Sequence, residues 1–283
     1  MPTCPRCVKP GSEVAFRQVA FRGIPPKTEG EVVNNTNEIN TDWAGDGIFR
    51  VTLNRPAKKN AITPAMVETL AELWNWVANA DDVRVVALTG AGGAFSAGAD
   101  LGTFARGGAE AAEFLRRGNR MVAALASLRK PVIAAVDGPA FGGGCELSLA
   151  CALRLASPRA VFGLPEVTLG LIPAWGGVLR MAQVCGQNRA LQLSLTGQPV
   201  AAAESLAMGL VSRVVDVTEL EGVVTEVAQQ LAKRSPVAVA AILELARNPD
   251  TVWEREAALF DSALRQPEAE AALVRFLTRR AAA

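Results

Sequence analysis

The chain has 283 residues, half of them hydrophobic. That suffices for one large domain, or a core domain with a small appendage. Its 29 Lys and Arg nearly cancel its 28 Asp and Glu, so the net charge of +1 gives no global attraction to nucleic acid or to a membrane surface. No apolar run approaches the ~20 residues that span a bilayer, and the N-terminus lacks the basic-then-apolar layout of a secretory signal. There are five cysteines without a disulfide-framework spacing, which points to a reducing, cytoplasmic setting. Histidine and tyrosine are both absent. Ser-His-Asp and Cys-His systems in their usual form are thereby excluded, as are His-based zinc and iron sites. Proton transfer is left to Asp, Glu, Lys, Cys or water.

Residues 1–45 carry scattered Pro and Gly and then the polar stretch Asn34-Asn35-Thr36-Asn37-Glu38-Ile39-Asn40, without apolar periodicity. They read as a flexible arm. Cys4 and Cys7 form a single CxxC, and no second pair completes a four-ligand zinc site. A core is expected over 46–215 and a helical region over 216–283. Ile48 to Leu53 reads as a strand ended by Asn54-Arg55-Pro56. Thr63-Pro64 opens a helix to about Ala78, with Thr63 as N-cap. Val83 to Thr89 is a buried strand, Ala109 to Leu128 a helix, and Val132 to Val136 a strand after Pro131. An apolar helix then runs to about Cys151, and Leu153 to Ala156 is another short strand. Beyond Gly186 the pattern is helical, near 188–195, 201–208, 218–234, 236–247, 252–264 and 267–280. The fold class is α/β with a C-terminal helical extension.

Two strands run into glycine-rich loops, Gly90 to Asp100 and Gly138 to Gly144. Glycine allows sharp turns and close backbone approach. Where such a loop opens a helix, free N–H groups and the helix dipole face incoming negative charge. Gly142-Gly143-Gly144 before Cys145-Glu146 has that form, and two such loops together can supply two donors to one oxygen. Tight turns without a ligand fit the same pattern. A dinucleotide fingerprint does not, because its third glycine would fall at Phe95. Glu146 and Glu166 each lie in apolar surroundings. There a carboxylate is either exposed or held at a raised pKa suited to proton transfer. Cys145 on its apolar helix reads as a small core residue.

The strings Phe95-Ser96-Ala97-Gly98-Ala99-Asp100-Leu101, Pro131 to Gly138, Ala140-Phe141-Gly142-Gly143-Gly144-Cys145-Glu146-Leu147 and Leu164-Pro165-Glu166-Val167-Thr168-Leu169-Gly170-Leu171-Ile172-Pro173 resemble the crotonase (enoyl-CoA hydratase/isomerase) superfamily. Leu53 to Pro56 and Ala207 to Val211 extend the resemblance, which covers about residues 46–280. It implies a spiral of repeated ββα turns whose C-terminal helices join a homotrimer, often paired into a hexamer. It implies a thioester-oxygen hole from the N–H groups of Ala99 and Gly143, with Gly142 among the substrate-binding residues. Residues Ala97, Gly98, Asp100 and Leu101 would flank the adenine of coenzyme A. Lys58, Lys59 and Arg279 or Arg280 are candidates for its phosphates, although Gly102 stands where hydratases often carry a lysine. Glu146 would activate water and Glu166 would protonate C2, with no metal or redox cofactor.

Possession of both glutamates favours an enoyl-CoA hydratase. The alternatives are an enoyl-CoA isomerase or another acyl-CoA-processing member, and a non-catalytic acyl-CoA-binding protein. One departure stands out: Pro173-Ala174-Trp175-Gly176-Gly177 replaces the family's small-residue loop. The Trp175 indole either narrows the acyl pocket or packs outward into the trimer.

Overall fold

The computed structural model describes residues 32–36, 38–105, 107–247 and 252–281. In chain order the strands are β1 (Val32–Thr36), β2 (Ile39–Trp43), β3 (Ile48–Leu53), β4 (Val85–Gly90), β5 (Val132–Val136), β6 (Pro139–Phe141), β7 (Leu153–Ala156), β8 (Val161–Gly163), β9 (Val200–Ala201) and β10 (Arg213–Val214). The helices are α1 (Pro64–Asn79), α2 (Leu101–Ala105), α3 (Gly108–Ser127), α4 (Gly143–Ala150), α5 (Gly177–Cys185), α6 (Gln187–Thr196), α7 (Ala202–Ala207), α8 (Leu220–Ala232), α9 (Pro236–Arg247), α10 (Val252–Leu264) and α11 (Pro267–Ala281).

A seven-stranded sheet has the order β1-β2-β3-β4-β5-β7-β10, antiparallel at β1-β2 and β2-β3 and parallel from β3 to β10. A second layer holds β6-β8-β9 and two isolated parallel bridges, Ile62 with Ala99 and Ser96 with Ala140. The chain therefore repeats one step. A strand of the large sheet leads to an extended piece in the second layer, and then to a helix. β3, Ile62 and α1 make one turn, and β4, the Ser96–Ala99 segment and α2–α3 make the next. β5, β6 and α4 follow, then β7 and β8. This is the expected spiral of ββα turns.

Alternation along the strands divides the core. On β4, Val86 and Leu88 face the helices α1 and α3, while Val85 and Ala87 face the other side with Ile133, Ala135 and Leu155. That second face is covered by α8 through Leu220, Val224 and Ala228, spaced one turn apart. Helix α1 forms because Thr63 Oγ1 accepts the Met66 N–H at 3.1 Å and Pro64 presets its first turn. Its buried stripe is Met66, Val67, Leu70, Leu73, Trp74 and Val77. Truncating one such residue, for example Leu70→Ala, costs about 2–5 kcal/mol.

The arm expected over 1–45 ends earlier than its composition suggests. Ile39–Trp43 is a paired strand with alternating burial, and Val32–Thr36 pairs beside it. The interleaved Asn40 and Asp42 are the solvent-side residues of a half-buried strand, and they mask a period of two. Cys4 and Cys7 lie outside the described residues. Among the described residues no helix is long and apolar enough to cross a membrane.

Candidate active site

The second turn of the spiral places one donor. The parallel bridge sends the Ile62 N–H to Gly98 O (2.8 Å) and the Asp100 N–H to Ile62 O (2.9 Å), and the Ala97 N–H goes to Lys59 O (2.8 Å). In this alternation the Ala99 N–H is left on the opposite side, without an acceptor among the described residues. The third turn places the other donor. Gly142, at φ +49°, turns β6 into α4, and Gly143 is the first helical residue, its N–H likewise unclaimed. The segments touch: a Cβ built on Gly98 would lie 3.2 Å from Gly143 N, and one built on Gly143 would lie 3.3 Å from Ala99 N. Two unpaired N–H groups, side by side at a helix N-terminus, form a hole for negative charge on one oxygen.

The Ala99 segment is held by a polar latch. Asn60 is fully buried at φ +55°, a conformation that asparagine tolerates better than most residues. Its Oδ1 accepts the Arg55 N–H (2.8 Å), and its Nδ2 donates to Ala91 O (2.9 Å) and Ala94 O (2.8 Å). Ser96 Oγ donates to Asn60 O (2.8 Å) and accepts the Gly98 N–H (3.1 Å). Arg55 adds ion pairs to Glu38 (2.9 Å) and Asp100 (3.2 Å).

Glu146 lies on the first turn of α4 and is only 2% exposed. Its Oε1 accepts the N–H groups of Trp175 (2.7 Å) and Gly177 (2.8 Å). Burial pushes its pKa up to about 7, aided by the neighbouring Glu166; the two N–H bonds and Arg180 pull the other way. Glu166 sits on a 3-10 turn, Pro165–Leu169, closed by Gly170 in the left-handed region. Burial raises its pKa too, opposed by its own backbone N–H, and its Oε2 is a buried acceptor without a partner. Burial also raises the Cys145 thiol strongly, which suits a core residue and not a nucleophile.

Both glutamates and both free N–H groups border one cavity of about 350 Å³, whose wall is otherwise largely apolar. Of the residues singled out in the sequence, Ala97, Gly98, Ala99, Leu101, Gly142, Gly143, Glu146, Glu166 and Trp175 line it. Asp100 does not: its carboxylate accepts from Arg55 and from the Gly102 N–H (3.1 Å), so it braces the loop. Lys58 and Lys59 are exposed beside the Ala97 segment and outside the cavity wall. The side chains of Arg279 and Arg280 lie outside the described residues. Trp175 packs inward, 2% exposed, and does not point out toward a neighbouring subunit.

As site residues the sequence reading missed Leu115, Pro165, Leu169, Leu171, Ile172 and Ala174, which complete the wall, and Arg180, which fixes the Trp175 carbonyl (2.5 Å). Periodicity alone places them on helices and loops that any apolar core would share. A bigger cavity of about 610 Å³ lies on the far side of the sheet, under α8. Its charged groups are already paired, Arg50 with Asp42 and Glu221, and Asp137 with Arg159.

A ββα spiral that brings two free main-chain N–H groups and two buried glutamates of raised pKa to one cavity has the parts of an acid–base site beside a carbonyl oxygen. The enoyl-CoA hydratase/isomerase family model matches residues 44–283. A short-chain-enoyl-CoA hydratase of Clostridium acetobutylicum is 41% identical over 67% of this chain and 73% of its own. A carnitinyl-CoA dehydratase of Escherichia coli K12 is 40% identical over 74% of this chain and 80% of its own. The crystal structure of an enoyl-CoA hydratase from Bacillus anthracis superposes with a TM-score of 0.82 at 34% identity, over 86% of this chain and 96% of that one. The chain belongs to the enoyl-CoA hydratase/isomerase family.

Proposed function

We infer that the protein hydrates the 2,3 double bond of an enoyl-CoA thioester. The observation that carries this is the convergence of Glu146, Glu166, Ala99 N–H and Gly143 N–H on one apolar cavity. The two N–H groups polarise the thioester carbonyl and hold the negative charge that grows on its oxygen as water adds. A donor of this kind contributes about 2.7–4 kcal/mol to the transition state. Glu146, held through Oε1, takes a proton from water attacking C3. Glu166 delivers a proton to C2. Burial raises both pKa values, and two carboxyl groups on one cavity resist double ionisation, which suits one giving a proton while the other takes one. Addition of water leaves the electron count unchanged and each proton has a protein carrier, so no metal or redox cofactor enters the proposed step.

The Ala97–Leu101 segment, with Lys58 and Lys59 beside it, is the proposed coenzyme A contact. Exposed apolar side chains on the C-terminal helices, Ile242, Phe260, Leu264, Leu273 and Val274, support assembly into a homotrimer or a hexamer. The free thiols Cys145, Cys151 and Cys185 support a cytoplasmic setting.

The test is loss of the enoyl-thioester absorbance of crotonyl-CoA. Rapid loss with the parent protein, and a fall of at least about 100-fold in kcat for both Glu146→Gln and Glu166→Gln, is the expected result. No loss with crotonyl-CoA or a longer enoyl-CoA overturns the reading in favour of another thioester reaction or a binding role.

A further inference from the structure

We propose that the Trp175 indole, fitted between Gly143 and Gly118, is the inner stop of the acyl cavity and restricts the enzyme to short acyl chains. The proposal rests on the hydratase reading of the same site and adds the residue pair that sets its chain length.

The indole is wedged between two helices at points where neither carries a side chain. A Cβ on Gly143 would lie 2.5 Å from Trp175 Cζ3 and 2.8 Å from Cε3. A Cβ on Gly118, one helix away on α3, would lie 2.2 Å from Cε2 and 2.4 Å from both Cζ2 and Nε1. Neither position can accept even alanine unless the ring moves. Phe114 packs edge-on against it, with centroids 5.8 Å apart at 81°. The backbone on which it stands is fixed as well. The Trp175 N–H is held by Glu146, its carbonyl accepts from Arg180, and Asn119 donates to Ala174 O at 3.1 Å. The ring is therefore a rigid wall.

Its position relative to the chemistry follows from Gly143. The indole edge that touches Gly143 is beside the N–H proposed to bind the thioester oxygen, so an acyl chain leaving that carbonyl meets the ring at once. The cavity volume of about 350 Å³ agrees. Ligand pockets run from about 300 to 1,000 Å³, and this one must hold the thioester end of the pantetheine arm as well as the acyl group. The remaining apolar wall leads outward. Leu101, Leu171 and Ile172 are 55%, 47% and 78% exposed, whereas Trp175 is 2% exposed. A long chain has no inward route and would have to run over this rim into water, where its added methylenes gain nothing.

The experiment measures kcat/KM for 2-enoyl-CoA thioesters of four to ten carbons with the parent, Trp175→Ala and Trp175→Phe. The parent is expected to prefer the four-carbon substrate and to lose activity as the chain lengthens. In Trp175→Ala, each methylene that finds a buried place raises kcat/KM about fourfold, so the preference shifts to longer chains. Trp175→Phe keeps an aromatic wedge and removes an indole N–H that is buried without a partner. It is therefore the less disruptive variant, and shows a smaller shift in the same direction. Gly118→Ala supplies the complementary reading. It lowers crotonyl-CoA turnover in the parent, where its Cβ meets the indole, and is tolerated in Trp175→Ala. A parent that handles ten carbons as well as four, or a folded Trp175 variant with an unchanged chain-length profile, overturns the proposal while leaving hydration intact. A parent inactive on every enoyl-CoA overturns the hydratase reading itself.

Discussion

The backbone N–H of Trp175 lies 2.7 Å from Glu146 Oε1, so the segment that carries the indole also anchors the carboxylate proposed to activate water. With Gly177 N–H on the same oxygen, the carboxylate is oriented from one side only. The arrangement fixes where the carboxylate points, and burial outweighs the two N–H bonds and the Arg180 charge to hold its pKa up at about 7.

This has a thermodynamic signature. Between the ordinary carboxylate pKa and about 7, folded Glu146 keeps a proton that the unfolded chain has released. The folded state binds more protons in that window, so stability falls as pH rises through it, and the loss is complete above about 7. The magnitude is about 3 kcal/mol. Glu166, also raised, adds to the same slope. In Glu146→Gln the amide oxygen still accepts both N–H groups and the ionisation is gone. Urea unfolding at a series of pH values is expected to show a variant more stable than the parent at pH 8 and with a flatter pH dependence. A parallel pair of curves would contradict the buried acid.

Asn60 is predicted to matter to catalysis without touching substrate. Asn60→Ala removes the partners of the Arg55 N–H and the Ala91 and Ala94 carbonyls, each about 1–3 kcal/mol when left unpaired and buried, and also puts alanine at φ +55°. Stability falls by several such increments. Because the same latch holds the Ser96–Asp100 segment, kcat is expected to drop at least about tenfold, part of the 10²–10³ that a lost oxyanion donor costs. Steady-state kinetics well below the variant's melting temperature separates the two effects.

Gly142 faces Glu166 closely: a Cβ there would stand 2.9 Å from Glu166 Oε1, at a φ of +49°. Gly142→Ala combines about 1–3 kcal/mol of backbone strain with displacement of the proposed proton donor, and kcat is expected to fall more than KM rises. Gly209→Ala is the comparison. It has a similar φ of +78° but its nearest neighbour is Val184 O at 3.9 Å, so it loses stability and keeps kcat. Equal kcat in the two variants would show that Glu166 does not depend on this contact.

Much of the spiral was legible because its long elements carry strong local signals. Ile48–Leu53, Val132–Val136 and Leu153–Ala156 occur where the sequence puts them, and Thr63-Pro64 opens α1. The second layer was not. β6, β8, β9 and the Ile62 and Ser96 bridges are too short for a period to register, and only pairing across turns makes them extended. β1 was hidden by the polar run Asn34-Asn35-Thr36, and β2 by Asn40 and Asp42, which alternate with its buried residues. At the site, Glu146, Glu166 and the glycine turns stood out as acids and breaks in apolar sequence. The fate of Trp175 did not, because nothing in its own loop reveals the gap that Gly118 leaves on α3, 57 positions away in the chain. Asp100 carried a charge but spends it on Arg55, a partner 45 residues distant.

The two N–H groups at Ala99 and Gly143 belong to the main chain, and every non-proline residue has one. A substitution at Ala99, proline apart, therefore leaves its donor in place, whereas one at Gly143 drives a Cβ to 2.5 Å from Trp175 Cζ3 and disturbs the same wall that a change at 175 or 118 remodels. Across generations the Ala99 donor is thus shielded from most random change, while the Gly143 donor is tied to the indole that shapes the cavity wall. Changes at 175 and 118 can thus reshape the cavity while the Ala99 main-chain donor carries over from parent to descendant.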